Sequence, residues 1–200
     1  MKSDLDHLMQ QNSVDALFIT GAAMYNPSMV YMTGGGHVSD AFLFKKLGQD
    51  PVIFAGMMER EEAAKSGYEV RLFSEFPYKS LLEESGGDWE KVSGLLLTKC
   101  MQAVGLEAGK VAIYGTKDLG SFYSSMEGVK KALPDLQFIG YGFDPILSMA
   151  MMTKDAPEIE RMKKIGAATA AVAGLAACGG GGGAGAGGAM LVAQGPLATS

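Results

Sequence analysis

Metal and redox chemistry have little to work with in this sequence. Only two cysteines, Cys100 and Cys178, and two histidines, His7 and His37, occur among 200 residues. Two distant cysteines build neither a disulfide framework nor a Cys-rich metal site, and they fit a reduced, cytoplasmic setting. HExxH and paired histidines at i, i+4 are both lacking, so a hydrolytic metal site has no visible ligand set. Long apolar runs are scarce too. No stretch of about 18 strongly apolar residues suggests a membrane span, and the charged first eleven residues do not resemble a secretory signal. Basic clusters are absent and the net charge is −5, which argues against a protein that works on nucleic acid or an anionic membrane.

Charge itself runs out part-way along the chain. Every Lys, Arg, Asp and Glu lies in residues 1–164, whereas residues 165–200 hold 11 of the 28 glycines. Two different materials therefore meet near Lys164. With 48% hydrophobic and 20% charged residues overall, the first part has enough apolar side chains for a core.

Within it, strand-like and helix-like segments alternate. A helix is predicted from Asp4 to Asn12 with Ser3 as its cap, then a buried strand at Asp15–Thr20. Asn26-Pro27 reads as a turn, and Val30–Met32 as a short strand or helical turn closed by Gly34-Gly35-Gly36. Ala41–Lys45 and Pro51–Ala55 flank a short Gly/Asp loop and predict a β-hairpin. Met57–Lys65 is helical, Tyr68–Phe73 a strand, and Trp89–Val104 an amphipathic helix. Lys110–Tyr114 and Leu136–Tyr141 are strands around a helix that Asp118 caps and Pro134 ends. Asp144-Pro145 opens a helix with proline at its first position, and Ala156-Pro157-Glu158 opens another. The fold class this predicts is α/β, with a mixed, roughly six-stranded sheet and helices on both faces. A flexible Gly-rich C-terminal tail follows.

Candidate chemistry is thin. Ser121, Ser124 and Ser125 lack a nucleophile elbow, Cys100 sits where a small core residue belongs, and His7 reads as a surface residue. Glu59, Glu61 and Glu62, like Glu83 and Glu84, read as solvated carboxylates. Gly183, Gly185 and Gly188 match GxGxxG, but a glycine run satisfies that pattern by composition, and neither the strand before it nor the acidic residue after it is present. His37 stands out: it follows a glycine loop and precedes Ser39-Asp40. Such a loop is either a ligand-binding strand end or simply a tight turn.

The order of several segments resembles the N-terminal domain of the creatinase / Xaa-Pro aminopeptidase / prolidase family. Asp15–Thr20 follows an N-terminal helix. Asn26 and then Tyr31-Met32-Thr33-Gly34 are similar to an asparagine and a "Y-x-T-G" turn, and the Ala41–Phe44 and Pro51–Phe54 hairpin leads to the helix at Glu59–Lys65. Ile146-Leu147, Met152-Thr153-Lys154 and Pro157-Glu158-Ile159-Glu160-Arg161-Met162 resemble a "K-x-P-x-E-I-x-x-M" hand-over into a catalytic domain, in the variant order Lys154, Asp155, Ala156, Pro157. The resemblance covers residues 1–173.

The resemblance implies residues 1–150 as the N-terminal-type domain, 151–177 as a linker and the first helix of a catalytic domain, and 178–200 as low-complexity tail. It further implies a metallopeptidase whose missing catalytic domain holds two divalent ions (manganese, cobalt or zinc) through two Asp, one His and two Glu. Their bridging water would attack a proline-containing peptide. None of those ligands has a matching position here, so no catalytic or metal residue is carried over, and the chain alone is expected to be inactive. The implied role is substrate access and dimerisation. Its partners would be a catalytic domain of its own or a neighbouring subunit, in a homodimer. Asn26, Tyr31, Thr33, Gly34, His37 and Asp40 are the expected substrate-proximal or interface positions. The uncharged tail resembles a GC-rich run read out of frame, which predicts a frame change near codons 165–178 or a natural truncation. Two other functions stay open: a stand-alone peptide- or protein-binding regulatory module, and a small-molecule or anion-binding enzyme using the Gly34–Asp40 loop.

Overall fold

A computed structural model of the chain describes residues 2–178, with side chains through 173, and divides into two units, Met1–Lys154 and Asp155–Ser200. The expectations for the tail from residue 179 onward lie outside the described residues.

The first unit is built on β1 (Ala16–Thr20), β2 (Ala41–Lys46), β3 (Val52–Ala55), β4 (Glu69–Leu72), β5 (Gly109–Gly115) and β6 (Leu136–Ile139). They form one sheet in the order β4-β3-β2-β1-β5-β6. β2 runs antiparallel to both β1 and β3, while β1–β5, β5–β6 and β3–β4 are parallel. The sheet is mixed because the β2–β3 hairpin interrupts the alternation of strands and helices. Helices are α1 (Leu5–Gln11), α2 (Pro27–Thr33), α3 (Arg60–Ala64), α4 (Tyr78–Glu84), α5 (Trp89–Ala103), α6 (Leu119–Ala132) and α7 (Leu147–Met152).

Side-chain alternation along the strands sorts the core into two layers. Leu17, Ile19, Leu43, Ile53 and Ala112 point to the face covered by Leu5 and Met9 of α1, Met29 and Met32 of α2, and Leu147 of α7. Phe18, Phe44, Phe54 and Val111 point to the other face, under Leu97 and Met101 of α5 and Met126 and Val129 of α6. β1 is buried along its whole length, which is why it reads as a continuous apolar run. On the second face Phe18 stacks on Phe44 with ring centroids 5.1 Å apart and meets Phe42 edge-on at 5.7 Å, arrangements that aromatic quadrupoles favour. Cys100 is fully buried there, and burial pushes its thiol up to about 12, so it is a core residue and a poor nucleophile.

Polar groups inside this unit are tied down. Lys45 is buried, and its ammonium meets Asp6 at 2.6 Å and the carbonyls of Gln49 and Lys46 at 2.8 and 3.0 Å, fixing the hairpin loop to α1. At the sheet edge Arg71 donates to Glu75 and, at 2.8 Å, to the Ala103 carbonyl closing α5; its guanidinium lies 5.0 Å from the Phe54 ring centroid.

Several local expectations change. The Asn26-Pro27 turn is the start of α2: Asn26 Oδ1 accepts from Met29 N at 3.2 Å and proline takes the first helical position. Val30–Met32 is therefore helical. The residue flanking α1 is Asp4 rather than Ser3, because Lys2–Asp4 forms a preceding 3₁₀ turn. Pro145 stays outside α7, since Asp144 places the first turn at Leu147. The strand begun at Leu136 ends at Ile139, before Gly140. α4 was not predicted; it lies between Pro77 and Gly86-Gly87 and buries only Leu81.

α5 and α6 cross closely because glycine occupies the contact. A Cβ on Gly94 would lie 2.9 Å from the Ser125 carbonyl oxygen, whereas one on Gly128 would meet nothing nearer than 3.6 Å. Gly94→Ala is expected to destabilise by about 1–3 kcal/mol as the helices are pushed apart. Gly128→Ala is expected to be neutral or to stabilise by up to about 1 kcal/mol through helix propensity. Urea unfolding followed by far-UV circular dichroism separates the two.

The second unit is described as one helix, α8 (Ala156–Cys178). Asp155 and Glu158 form a reciprocal cap: Glu158 N donates to Asp155 Oδ1 at 2.9 Å, and Asp155 N donates to Glu158 Oε2 at 3.0 Å. Among the described residues no helix is long and apolar enough to cross a membrane.

Candidate functional site

β1, β3, β4, β5 and β6 all run the same way, so the segments that follow them leave the sheet at one end. In open α/β sheets that carboxyl end is where ligands and partners gather. The glycine loop before β2 returns to the same end, and Asn26, Tyr31, Thr33, Gly34, His37 and Asp40 all belong to the segment between β1 and β2.

The structure gives these six residues different tasks. Asn26 is buried; its Nδ2 donates to the Thr20 carbonyl at 3.0 Å while its Oδ1 caps α2, so it welds the end of β1 to the helix. The Thr33 hydroxyl is buried and donates back to the Met29 carbonyl at 2.8 Å. The Tyr31 hydroxyl donates to the Ala150 carbonyl of α7 at 3.1 Å. Gly34 ends α2 in the left-handed conformation, φ +76°, and its N–H donates to the Val30 carbonyl. These four build the scaffold. His37 and Asp40 are exposed.

The loop that carries His37 is held by two carboxylates that spacing alone assigned to a solvated helix face. Glu59 Oε1 accepts from Ser39 N at 2.5 Å, and Glu62 Oε2 accepts from His37 N at 3.4 Å. Lys65 pairs with Glu62 and, together with the His37 amide, holds that carboxyl below its usual range. Twenty or more residues separate the carboxylates from the amides they bind, so no local pattern announces the contact. Asp40 pairs with Lys117 at 2.6 Å, joining the loop to the segment after β5.

Large apolar side chains are exposed on the segments leaving this end. Met24 and Tyr25 follow β1, Met57 and Met58 follow β3, Leu119 follows β5 and Phe143 follows β6. Tyr25 is 89% exposed and holds a left-handed φ of +59°, a conformation uncommon outside glycine. These side chains share the end of the sheet that carries the His37 loop; a contiguous apolar patch, where one forms, marks an interaction surface.

No group of three or more His, Cys, Asp or Glu that could hold a metal ion occurs among the described residues. The two-ion centre implied by the resemblance therefore does not fit the side chains described in this chain.

No family model matches the sequence, and no curated protein matches it. Solved structures do. The chain is similar to a dipeptidase from Pyrococcus horikoshii, with 15% identity and a TM-score of 0.50 over 79% of this chain and 38% of that one. It is similar to an X-Pro aminopeptidase from Thermotoga maritima, with 19% identity and a TM-score of 0.52 over 80% of this chain and 38% of that one. These likenesses establish the fold as one found within those two peptidases. The chain spans less than two fifths of either of them.

Proposed function

We propose that this chain is the non-catalytic N-terminal domain of an Xaa-Pro aminopeptidase- or dipeptidase-like metallopeptidase, shaping substrate access and contributing to dimer contacts. One observation carries the reading: about four fifths of this chain matches a portion, 38%, of each larger peptidase. The order of the sequence segments, from Asp15–Thr20 through the Lys154–Met162 hand-over, supports it independently. In this reading the exposed carboxyl-end segments face a catalytic domain of the same or a neighbouring subunit, and the Tyr31–Asp40 loop lies nearest a proline-containing peptide. The two divalent ions, manganese, cobalt or zinc, belong to that domain, and the compartment is the cytoplasm.

A stand-alone binding module is the second reading. It draws on Met24, Tyr25, Met57 and Met58, exposed on segments remote in sequence from Asp144–Arg161, the stretch near which a catalytic domain would dock.

Reading the source DNA from codon 160 through several hundred further bases, in all three frames, tests both. The expected result is a charged helix followed in order by Asp, Asp, His, Glu and Glu. Expressed with that extension and manganese, cobalt or zinc, the protein should cleave an Xaa-Pro peptide that the 200-residue chain leaves intact. A stop codon with no such ligands in any frame would remove the peptidase reading and put the binding module first.

A further inference from the structure

The two edges of the sheet are finished differently. β4, at one edge, carries Glu69 and Arg71, and Glu75 Oε1 accepts from the Leu72 amide at 3.0 Å. Charged side chains keep an edge strand from pairing with another chain, and an amide already bonded cannot join a new ladder. β6, at the other edge, lacks this protection. No charged residue and no proline occurs from Leu136 to Phe143.

The register shows which backbone groups β6 leaves open. Gly109 N donates to the Asp135 carbonyl at 3.2 Å, and Gly109 stands opposite Leu136. In a parallel ladder this makes Gln137 and Ile139 the residues whose N–H and C=O face β5. Those of Phe138, and of Gly140 just past the strand, turn outward. Among the described residues nothing hydrogen-bonds the outward groups of Phe138 or Gly140. Phe138 is half-buried against the face under α5 and α6, while Gln137 and Gly140 are exposed.

We propose that β6 is a self-association edge, pairing antiparallel with β6 of a second copy about a two-fold axis at Phe138. Such a contact is isologous, because the same strand meets itself. Phe138 exchanges both backbone hydrogen bonds with Phe138 of the second copy, and each Gly140 N–H reaches the other copy's Leu136 carbonyl. The second copy is the partner because the match is self-complementary. On one face the two Phe138 rings meet, and on the other Gln137 lies opposite Ile139. No like charges are brought together, and two six-stranded sheets become one. A contact of this size falls below the roughly 1,200 Å² of a standard interface, so the dimer is weak and concentration-dependent. It gives dimer contacts a location, yet it stands on the edge geometry alone and does not need the peptidase reading.

Sedimentation velocity of the full chain, from about 10 µM to about 1 mM, is expected to show a rising dimer fraction. Over the same range hydrogen exchange should slow at the Phe138 and Gly140 amides. The Gln137 and Ile139 amides, already in the β5 ladder, should not change. Phe138→Lys and Phe138→Glu should each weaken the dimer at least about ten-fold by setting like charges across the axis. Mixing the two variants should restore association through a Lys–Glu pair. A monomer at every concentration would overturn the proposal. So would a dimer whose Phe138 and Gly140 amides exchange as they do in the monomer, or Phe138→Lys associating as well as the native chain. Should either variant not fold, the concentration dependence of the native amides decides. Failure here leaves the test by codon reading untouched.

Discussion

Gly115→Ala is expected to destabilise the first unit by at least about 3–4 kcal/mol, a large share of the 5–15 kcal/mol that holds a typical domain together. Gly115 closes β5 directly opposite Thr20 of β1, with φ at +121°. A Cβ there would lie 1.9 Å from the Thr20 carbonyl oxygen and 2.8 Å from the Thr20 nitrogen. Both atoms are backbone of a central strand, so no rotamer change relieves the overlap. The two parallel strands would have to separate where Thr116 N bonds the Thr20 carbonyl at 3.1 Å. To that displacement is added about 1–3 kcal/mol for the backbone conformation. Gly48→Ala is the control, because Gly48 has φ +71° but open space where its Cβ would sit; it should cost only about 1–2 kcal/mol. At roughly 2–4 °C per kcal/mol, Gly115→Ala should lower the melting temperature by about 10 °C. Equal melting temperatures for the two variants would show that the close approach of β1 and β5 is not what this glycine serves.

The same strand ends show what the sequence displays and what it conceals. β1 is legible because a strand covered on both faces is apolar at every position, and the β2–β3 hairpin because Leu47–Asp50 is short and turn-forming. The six-stranded mixed sheet follows from those two readings and the alternating helices. The start of α2 is harder, because asparagine followed by proline serves both as a turn and as a helix cap with proline at the first position. α4 escapes because a seven-residue helix that buries one leucine carries almost no periodic signal.

The candidate site is less legible than the fold. The glycine run marks a tight turn, and there Gly34 and Gly35 take positive φ, +76° and +98°. What holds the loop beyond them comes from far away in the chain. Glu59 and Glu62 reach back to Ser39 and His37, and Lys117 crosses from the segment after β5 to Asp40.

Asp144→Ala is expected to be the most damaging loss of a side chain at the carboxyl end, about 2–4 kcal/mol. Asp144 Oδ1 accepts from the Tyr114 hydroxyl at 2.8 Å and from Ile146 N and Leu147 N at 2.9 and 3.2 Å, while Oδ2 accepts from Ser148 N at 2.7 Å. One carboxylate thus caps α7 and anchors a tyrosine of β5. Losing a cap of this kind costs about 1 kcal/mol. Leaving the half-buried Tyr114 hydroxyl without its acceptor adds about 1–3 kcal/mol. Burial, with the Asp144 hydrogen bond second, pushes the Tyr114 phenol well above its usual range, so it stays a donor throughout the neutral region. The damage should spread, because α7 brings Leu147 and Ala150 into the core and the Ala150 carbonyl receives the Tyr31 hydroxyl. Asp144→Asn keeps one acceptor oxygen and should lose less than half as much. Tyr114→Phe removes the donor along with the need for it and should cost about 1 kcal/mol. Urea unfolding of the two single variants and their combination yields the coupling directly. Faster amide exchange at residues 146–148 in Asp144→Ala, but not in Tyr114→Phe, would locate the cap. If Asp144→Ala proved no worse than Tyr114→Phe, the three backbone amides would be shown to draw little from the carboxylate, and the start of α7 would have to be held by the burial of Leu147 alone.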